Sequence, residues 1–297
     1  MSKRTLHRPA PSLATGLDDV VLYAADAGWM YCGLTVLSLD PGGQRVMHTG
    51  DTEMIVLPLG GSVDVDVERQ RVKMHGRDDV FSAVTDWAYL PIDSEVRLSS
   101  ATGCQLALPS AKATKRYEPS YGEAAGVPVE VRGAGPSTRQ LNNFASPDSF
   151  AGADRLMCVE VLTPDGNWSS YPPHKHDGTE GCTVRNEEIY YFRVGRTGER
   201  GYAPDGFALH RTYTTDGVID ENVVVRDGDV FLIPRGFHGP CIAAPGYPLY
   251  YLNILAGPDP ERSMAFCDDP THQWVRESWN GMPVDPRCPM SSAEPRS

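Results

Sequence analysis

Apolar and polar residues alternate with period two along most of the chain, the spacing of strands with one buried face. Ser62-Val63-Asp64-Val65-Asp66-Val67 and Leu156-Met157-Cys158-Val159-Glu160-Val161 show it. The runs Val230-Phe231-Leu232-Ile233 and Tyr250-Tyr251-Leu252-Asn253-Ile254-Leu255 read as strands buried on both faces. Turn signals separate these segments: Asp40-Pro41-Gly42-Gly43, Leu59-Gly60-Gly61-Ser62, Thr163-Pro164-Asp165-Gly166 and Arg226-Asp227-Gly228-Asp229. No long amphipathic helix stands out. Many short, closely spaced strands predict an all-β sandwich or barrel.

The pattern softens between about residues 109 and 139, where Pro, Gly, Ser and charge replace the alternation. A linker there divides the chain into two β units, 1–135 and 136–270, followed by a tail, 271–297. Trp274-Val275-Arg276-Glu277-Ser278-Trp279 predicts a short helix or cap, and the chain beyond Pro289 is expected to be loose. A weak repeat links the halves. Glu53 is followed by six residues and Gly60, and Glu188 by six residues and Gly195. Each Glu opens an apolar strand that leads into a glycine turn, so a duplicated barrel is the economical reading.

With 297 residues, 29 of them Gly and 25 Pro, the chain suits turn-rich β structure in two domains. The net charge of −12 opposes binding to a phosphate backbone, so no nucleic-acid partner is expected. No apolar run is long enough to span a membrane, and the first residues lack the apolar stretch of a secretory signal. The seven cysteines form no CxxC pair and are odd in number. That favours a reduced, cytoplasmic protein whose thiols are structural or incidental.

The strongest chemical signal is Tyr171-Pro172-Pro173-His174-Lys175-His176-Asp177. In extended chain, residues two apart share a face, so His174 and His176 offer two imidazoles side by side. Glu188 begins the next strand, and His238 follows the turn Ile233-Pro234-Arg235-Gly236-Phe237. Three imidazoles and one carboxylate suit one divalent ion, Zn, Mn, Fe, Co or Ni, and leave positions open for substrate. For His7, His48, His75, His210 and His272, structural or solvated roles are the expectation.

The ordered set Gly166, His174, His176, Glu188, Gly195, Gly228, Pro234, Gly236 and His238 resembles the cupin pattern. There are two departures. The gap from His176 to Glu188 is longer than usual, and one residue rather than two separates Gly236 from His238. Residues 166–177, 187–191, 227–230, 234–236, 249–253 and 256–258 look more narrowly like 5-deoxy-glucuronate isomerase of myo-inositol catabolism. The similarity is dense from about residue 154 to 258 and mostly architectural upstream. It implies two tandem cupin barrels (a bicupin). The N-terminal barrel keeps Glu53 and Gly60 but has no metal site.

The resemblance further implies an aldose–ketose isomerisation of a sugar acid, by proton transfer between neighbouring carbons or by a hydride shift. The proton shuttle is open among Lys175, Glu187, Tyr190, Tyr191 and Tyr213. Tyr190 ranks first because it is in phase with Glu188, whereas Lys175 and Glu187 should point away. Arg193, Arg211 and Arg235 are the candidates to hold the substrate carboxylate, with Arg235 favoured by its place beside His238. Another cupin activity, such as an Fe-dependent dioxygenase, or a non-catalytic sugar-acid-binding bicupin, are the alternatives. Edge strands of such barrels commonly pair, so a homo-oligomer is expected.

Overall fold

A computed structural model describes residues 6–16, 18–179 and 181–293. The chain is nearly all β. The α-helices Ala24–Ala27 and Val275–Ser278 are four residues each, and the second lies where the Trp274–Trp279 pattern places it. All strand pairings are antiparallel, as expected where short turns join sequential strands.

The first half forms one curled sheet of nine strands. Its spine is the 16-residue strand Thr52–Val67. The N-terminal part of this strand pairs with Cys104–Lys112 and Trp87–Leu90, the C-terminal part with Gln70–Arg77 and Glu95–Ser99. It turns from one wall to the other around Gly60 and Gly61, where the register shifts. Gly61 has φ +80° and lies so close to the Gly103 carbonyl that a Cβ would sit 2.4 Å from it, so only glycine fits. The interior is apolar, built from Leu37, Val56, Val63, Val65, Leu90, Val96, Leu98, Leu106 and Leu108.

The second half closes two sheets on each other. One runs from Val129–Arg132 through Arg139–Ala145, Met157–Thr163, Leu249–Ala256 and Glu187–Val194 to Val230–Ile233. The other contains Asp220–Val225, Ala208–Tyr213, Phe237–Ala243, His174–Lys175 and Cys267–Asp268. Between them lie Leu141, Tyr190, Phe192, Phe231, Cys241 and Tyr251.

Between the two barrels is a third core. Leu34, Val36, Ile55, Leu57 and Leu59 of the first meet Cys158, Leu162, Ile189, Tyr191, Leu252 and Ile254 of the second. The sheets at this seam are therefore buried on both faces, which is why their strands read as unbroken apolar runs. Two carboxylates lock the seam reciprocally. Glu53 of the first barrel accepts the N–H groups of Asp154, Arg155 and Leu156 at 2.8, 2.6 and 2.6 Å. Glu187 of the second accepts those of Met30, Tyr31 and Cys32 at 2.7, 2.8 and 3.0 Å.

That symmetry corrects the repeat. Glu53 opposes Ala111 and Glu187 opposes Ala256 on the matching strands, so Glu53 corresponds to Glu187 and not to Glu188. The counterpart of Glu188 is Met54, which opposes Ser110 as Glu188 opposes Leu255. The first barrel thus presents a thioether where the second presents a carboxylate, and its interior packs with apolar side chains.

Pairing and hydrogen bonds also set the boundaries. Val129–Arg132 pairs with Arg139–Ala145 and so belongs to the second barrel, while Ser120–Gly122 still pairs in the first. The division falls between residues 122 and 129, inside the softer stretch 109–139. The strand His7–Arg8 leaves the first half and pairs with Val230–Ile233. Of the chain beyond Pro289, the described residues 290–293 are held, not loose. Ser291 is buried, its N–H donates to Gln140 Oε1 at 3.0 Å, and the Ser292 carbonyl accepts Val84 N–H at 2.9 Å.

Candidate metal centre

His174 sits on the short strand His174–Lys175, directly opposite His238 on Phe237–Ala243. Cross-strand partners share a face, and the two rings stand 4.5 Å apart. His176 follows on the same side, and its ring is 4.9 Å from that of His238. Glu188 approaches from the facing sheet. Its Oε2 is 3.0 Å from His176 Nε2 and 3.0 Å from His238 Nε2. His176, Glu188 and His238 place one ligand atom each within 4.8 Å of one another. His174 flanks this trio without meeting that limit.

The imidazoles are oriented from behind. The Nδ1 atoms of His174, His176 and His238 face the carbonyls of Pro172, Asn186 and Gly236 at 3.2, 3.3 and 3.5 Å. A proton on Nδ1 serves each carbonyl and leaves the Nε2 lone pair for a metal, the usual arrangement of ligating histidines. His238 Nε2 is buried and lacks a hydrogen bond, because its approach to Glu188 is off hydrogen-bonding geometry. A buried acceptor of this kind is costly unless something fills the site. The donor set fits a divalent transition ion.

The charge states agree. Burial opposes ionisation of Glu188, but His238 and His176 outweigh it and hold the carboxyl far below its usual range. Burial also opposes charge on His176, yet the Glu188 carboxylate raises that imidazole above its ordinary value. Ligating nitrogens must be free of their protons, so metal loading would displace any proton that His176 Nε2 shares with Glu188. Burial, with His238 adding to it, holds His174 neutral and ready to ligate.

The two departures from the ligand pattern have a common structural answer. The long segment between His176 and Glu188 folds back on itself, with Gly178 N–H on the Val184 carbonyl at 2.9 Å. At its start the Asp177 carboxylate accepts Gly236 N–H at 2.8 Å and so holds the shortened turn before His238. Cys182 in this segment is disulfide-bonded to Cys267. This corrects the expectation of seven unpaired thiols. The two lie 85 residues apart and meet only because Cys267 pairs beside Lys175.

His174, His176 and Glu188 line a cavity of about 600 Å³. Asn253 also faces it, with a buried Oδ1 that has no hydrogen-bond partner. The other candidates do not line this cavity. Tyr190 points into the barrel as its phase predicts: its ring stands 6.0 Å from that of His238 and its hydroxyl 3.1 Å from Ser170 Oγ, behind the cavity wall. Arg235 is half-exposed and paired with Asp216 at 3.1 Å. Arg193 is at the seam, bound to Asp227, and Arg211 stacks on Tyr213. Lys175 and Glu187 point away, as expected. Sequence reasoning missed the arginines that do line the cavity: Arg132, Arg139, Arg262 and Arg276. Accordingly, Arg235→Ala should keep kcat/KM within about threefold of the parent, since its half-exposed side chain is paired with Asp216 and does not line the cavity. A loss above tenfold would return Arg235 to the active site.

A two-barrel all-β chain whose second barrel holds the one histidine–carboxylate cluster found among the described residues is a bicupin. The sequence matches the KduI/IolB family over residues 9–275, and the chain belongs to that family. It is 40% identical over 256 residues to a 5-deoxy-glucuronate isomerase of Geobacillus thermodenitrificans, covering 85% of this chain and 89% of that one. The crystal structure of an IolB-like protein from Salmonella typhimurium superposes with a TM-score of 0.83 at 30% identity, covering 92% of this chain and 99% of the other. Lactobacillus farciminis oxalate decarboxylase shares the fold, with a TM-score of 0.65 at 12% identity over 95% of this chain and 98% of its own. The chain is an isomerase of this family. Among the described residues no helix is long and apolar enough to cross a membrane.

Proposed function

We propose that this protein is a metal-dependent aldose–ketose isomerase that converts 5-deoxy-D-glucuronate to 5-dehydro-2-deoxy-D-gluconate in myo-inositol catabolism. The observation that carries the reading is the orphaned, buried His238 Nε2 beside the ionised Glu188. His174, His176, Glu188 and His238 would hold one divalent ion. When bound, the ion supplies a Lewis acid that polarises a carbonyl and the hydroxyl next to it. The protein does the rest. The carbonyls behind the three Nδ1 atoms fix the imidazoles, and the barrel wall keeps bulk water from the floor of the site. Asn253 Oδ1 offers an acceptor to a substrate hydroxyl. The cavity of about 600 Å³ is in the range that takes a small sugar acid.

The test follows 5-deoxy-D-glucuronate by proton NMR in deuterated water, with protein as purified, stripped by chelator, and reloaded with Zn, Mn, Fe, Co or Ni. The keto acid should form, fall at least about 100-fold after stripping, and return with metal. Deuterium in the product distinguishes proton transfer from a hydride shift. Full activity after verified stripping would sink the metal-dependent reading. Oxygen uptake in place of isomerisation would move the assignment to a dioxygenase.

A further inference from the structure

Four arginines line the cavity that holds the histidine–carboxylate cluster, and they differ in how they are neutralised. Arg132 makes a two-point contact with Glu130, at 2.7 and 2.8 Å. Arg276 does the same with Asp268, at 2.5 and 2.7 Å. Arg262 is spent on backbone, donating to the Leu156 carbonyl at 3.0 Å and to that of Phe150. Arg139 stands apart. It is 5% exposed, no carboxylate pairs with it among the described residues, and its protein hydrogen bond is one from Nη1 to the Ser137 carbonyl at 3.0 Å. Its guanidinium lies 5.7 Å from the Trp279 ring centroid.

A buried guanidinium has five N–H donors to satisfy and a large desolvation cost, and folded proteins rarely leave one without an anion. Glu130, the wall carboxylate that acts on Arg139, is already held by Arg132 and by Asn143 Nδ2. Burial, with Arg132 and Arg276 adding to it, pulls the Arg139 guanidinium down to about 10 despite counteracting pulls from Tyr251 and Glu130. It therefore stays charged at neutral pH, in a setting that favours an incoming anion. Strand phase points the same way. Arg139, Leu141 and Asn143 alternate along Arg139–Ala145, and all three line the cavity.

We infer that Arg139 is the anchor for the substrate's carboxylate and so sets the preference of this site for sugar acids over neutral sugars. This rests on the isomerase reading for the identity of the substrate, but the anion site itself does not. A planar carboxylate matches the guanidinium fork, and binding restores the counter-charge that the fold leaves out. The arrangement places the reacting end of the sugar at the histidine cluster and its acid end against Arg139. Arg139 is then a specificity residue, and no proton moves through it.

The experiment compares the parent protein with Arg139→Gln, Arg139→Lys and Arg139→Met. Turnover is measured on 5-deoxy-D-glucuronate and on the analogue whose carboxylate is reduced to a primary alcohol. Binding of D-glucuronate and D-glucose is measured by calorimetry on the same metal-loaded proteins. The parent should prefer the acid by on the order of 10- to 100-fold in kcat/KM and in Kd. Arg139→Gln should lose that preference through KM for the acid, with metal content unchanged, and Arg139→Lys should recover part of it. Because the buried charge lacks a partner, Arg139→Met should melt no lower than the parent when ligand is absent. An acid preference intact in Arg139→Gln, or a lower melting temperature together with lost metal, would overturn the proposal. Should the parent turn over neither compound, the isomerase reading fails while the binding arm still decides the role of Arg139.

Discussion

Glu188→Gln should abolish isomerase activity and leave the protein without metal. Glu188 is the only carboxylate in the cluster with His176 and His238 and is 2% exposed. The amide keeps the shape but removes the charge that draws a cation to three neutral imidazoles. Loss of a partner one shell further out typically costs roughly 10- to 100-fold in metal affinity or activity. Loss of the one anionic ligand should therefore exceed about 100-fold. Metal analysis of protein purified in parallel should fall from near one ion per chain to a small fraction. Full metal content in a folded Glu188→Gln protein would show that the ion, if any, is held elsewhere. His238→Ala should behave alike, because it removes the orphaned nitrogen that most needs a ligand.

Glu53→Ala should destabilise the whole molecule without touching the metal site. The carboxylate is 0% exposed and accepts three N–H groups from residues 154–156 and the Tyr89 hydroxyl at 2.7 Å. Its removal strands three buried backbone donors at the seam. Unmade hydrogen bonds to a buried charge cost about 1–3 kcal/mol each, and breaking a buried charged network about 3–5 kcal/mol in all. Urea unfolding should show a loss in the latter range, with metal content per folded molecule unchanged. Glu187→Ala, at the partly exposed reciprocal contact, should cost less. A Glu53→Ala protein within about 1 kcal/mol of the parent would mean the seam is held by its apolar core alone.

These two carboxylates also show where reading the chain stops. Glu53 and Glu188 each open an apolar strand and precede a glycine by the same interval, yet one faces the neighbouring barrel and the other faces a barrel interior. Period-two alternation says that neighbours point opposite ways, but not which way is in when both faces are buried. Only the pairing of Thr52–Val67 with Cys104–Lys112, set against that of Glu187–Val194 with Leu249–Ala256, aligns Glu53 with Glu187. The same ambiguity hid Arg139, which in the sequence is one arginine in a polar stretch.

The all-β class and the shared face of His174 and His176 could be read from the chain because they are local features. Two histidines two apart in an extended segment share a face whatever surrounds them, and glycine and proline turns mark strand ends by their own backbone limits. Contacts between distant segments were decided by the tertiary structure alone. The Cys182–Cys267 bond, the strand His7–Arg8 crossing to the second barrel, the burial of Ser291 and the unpaired charge of Arg139 are of this kind. Each depends on strand order and register, which arise from the packing of two barrels against one seam and leave no short-range pattern in the sequence.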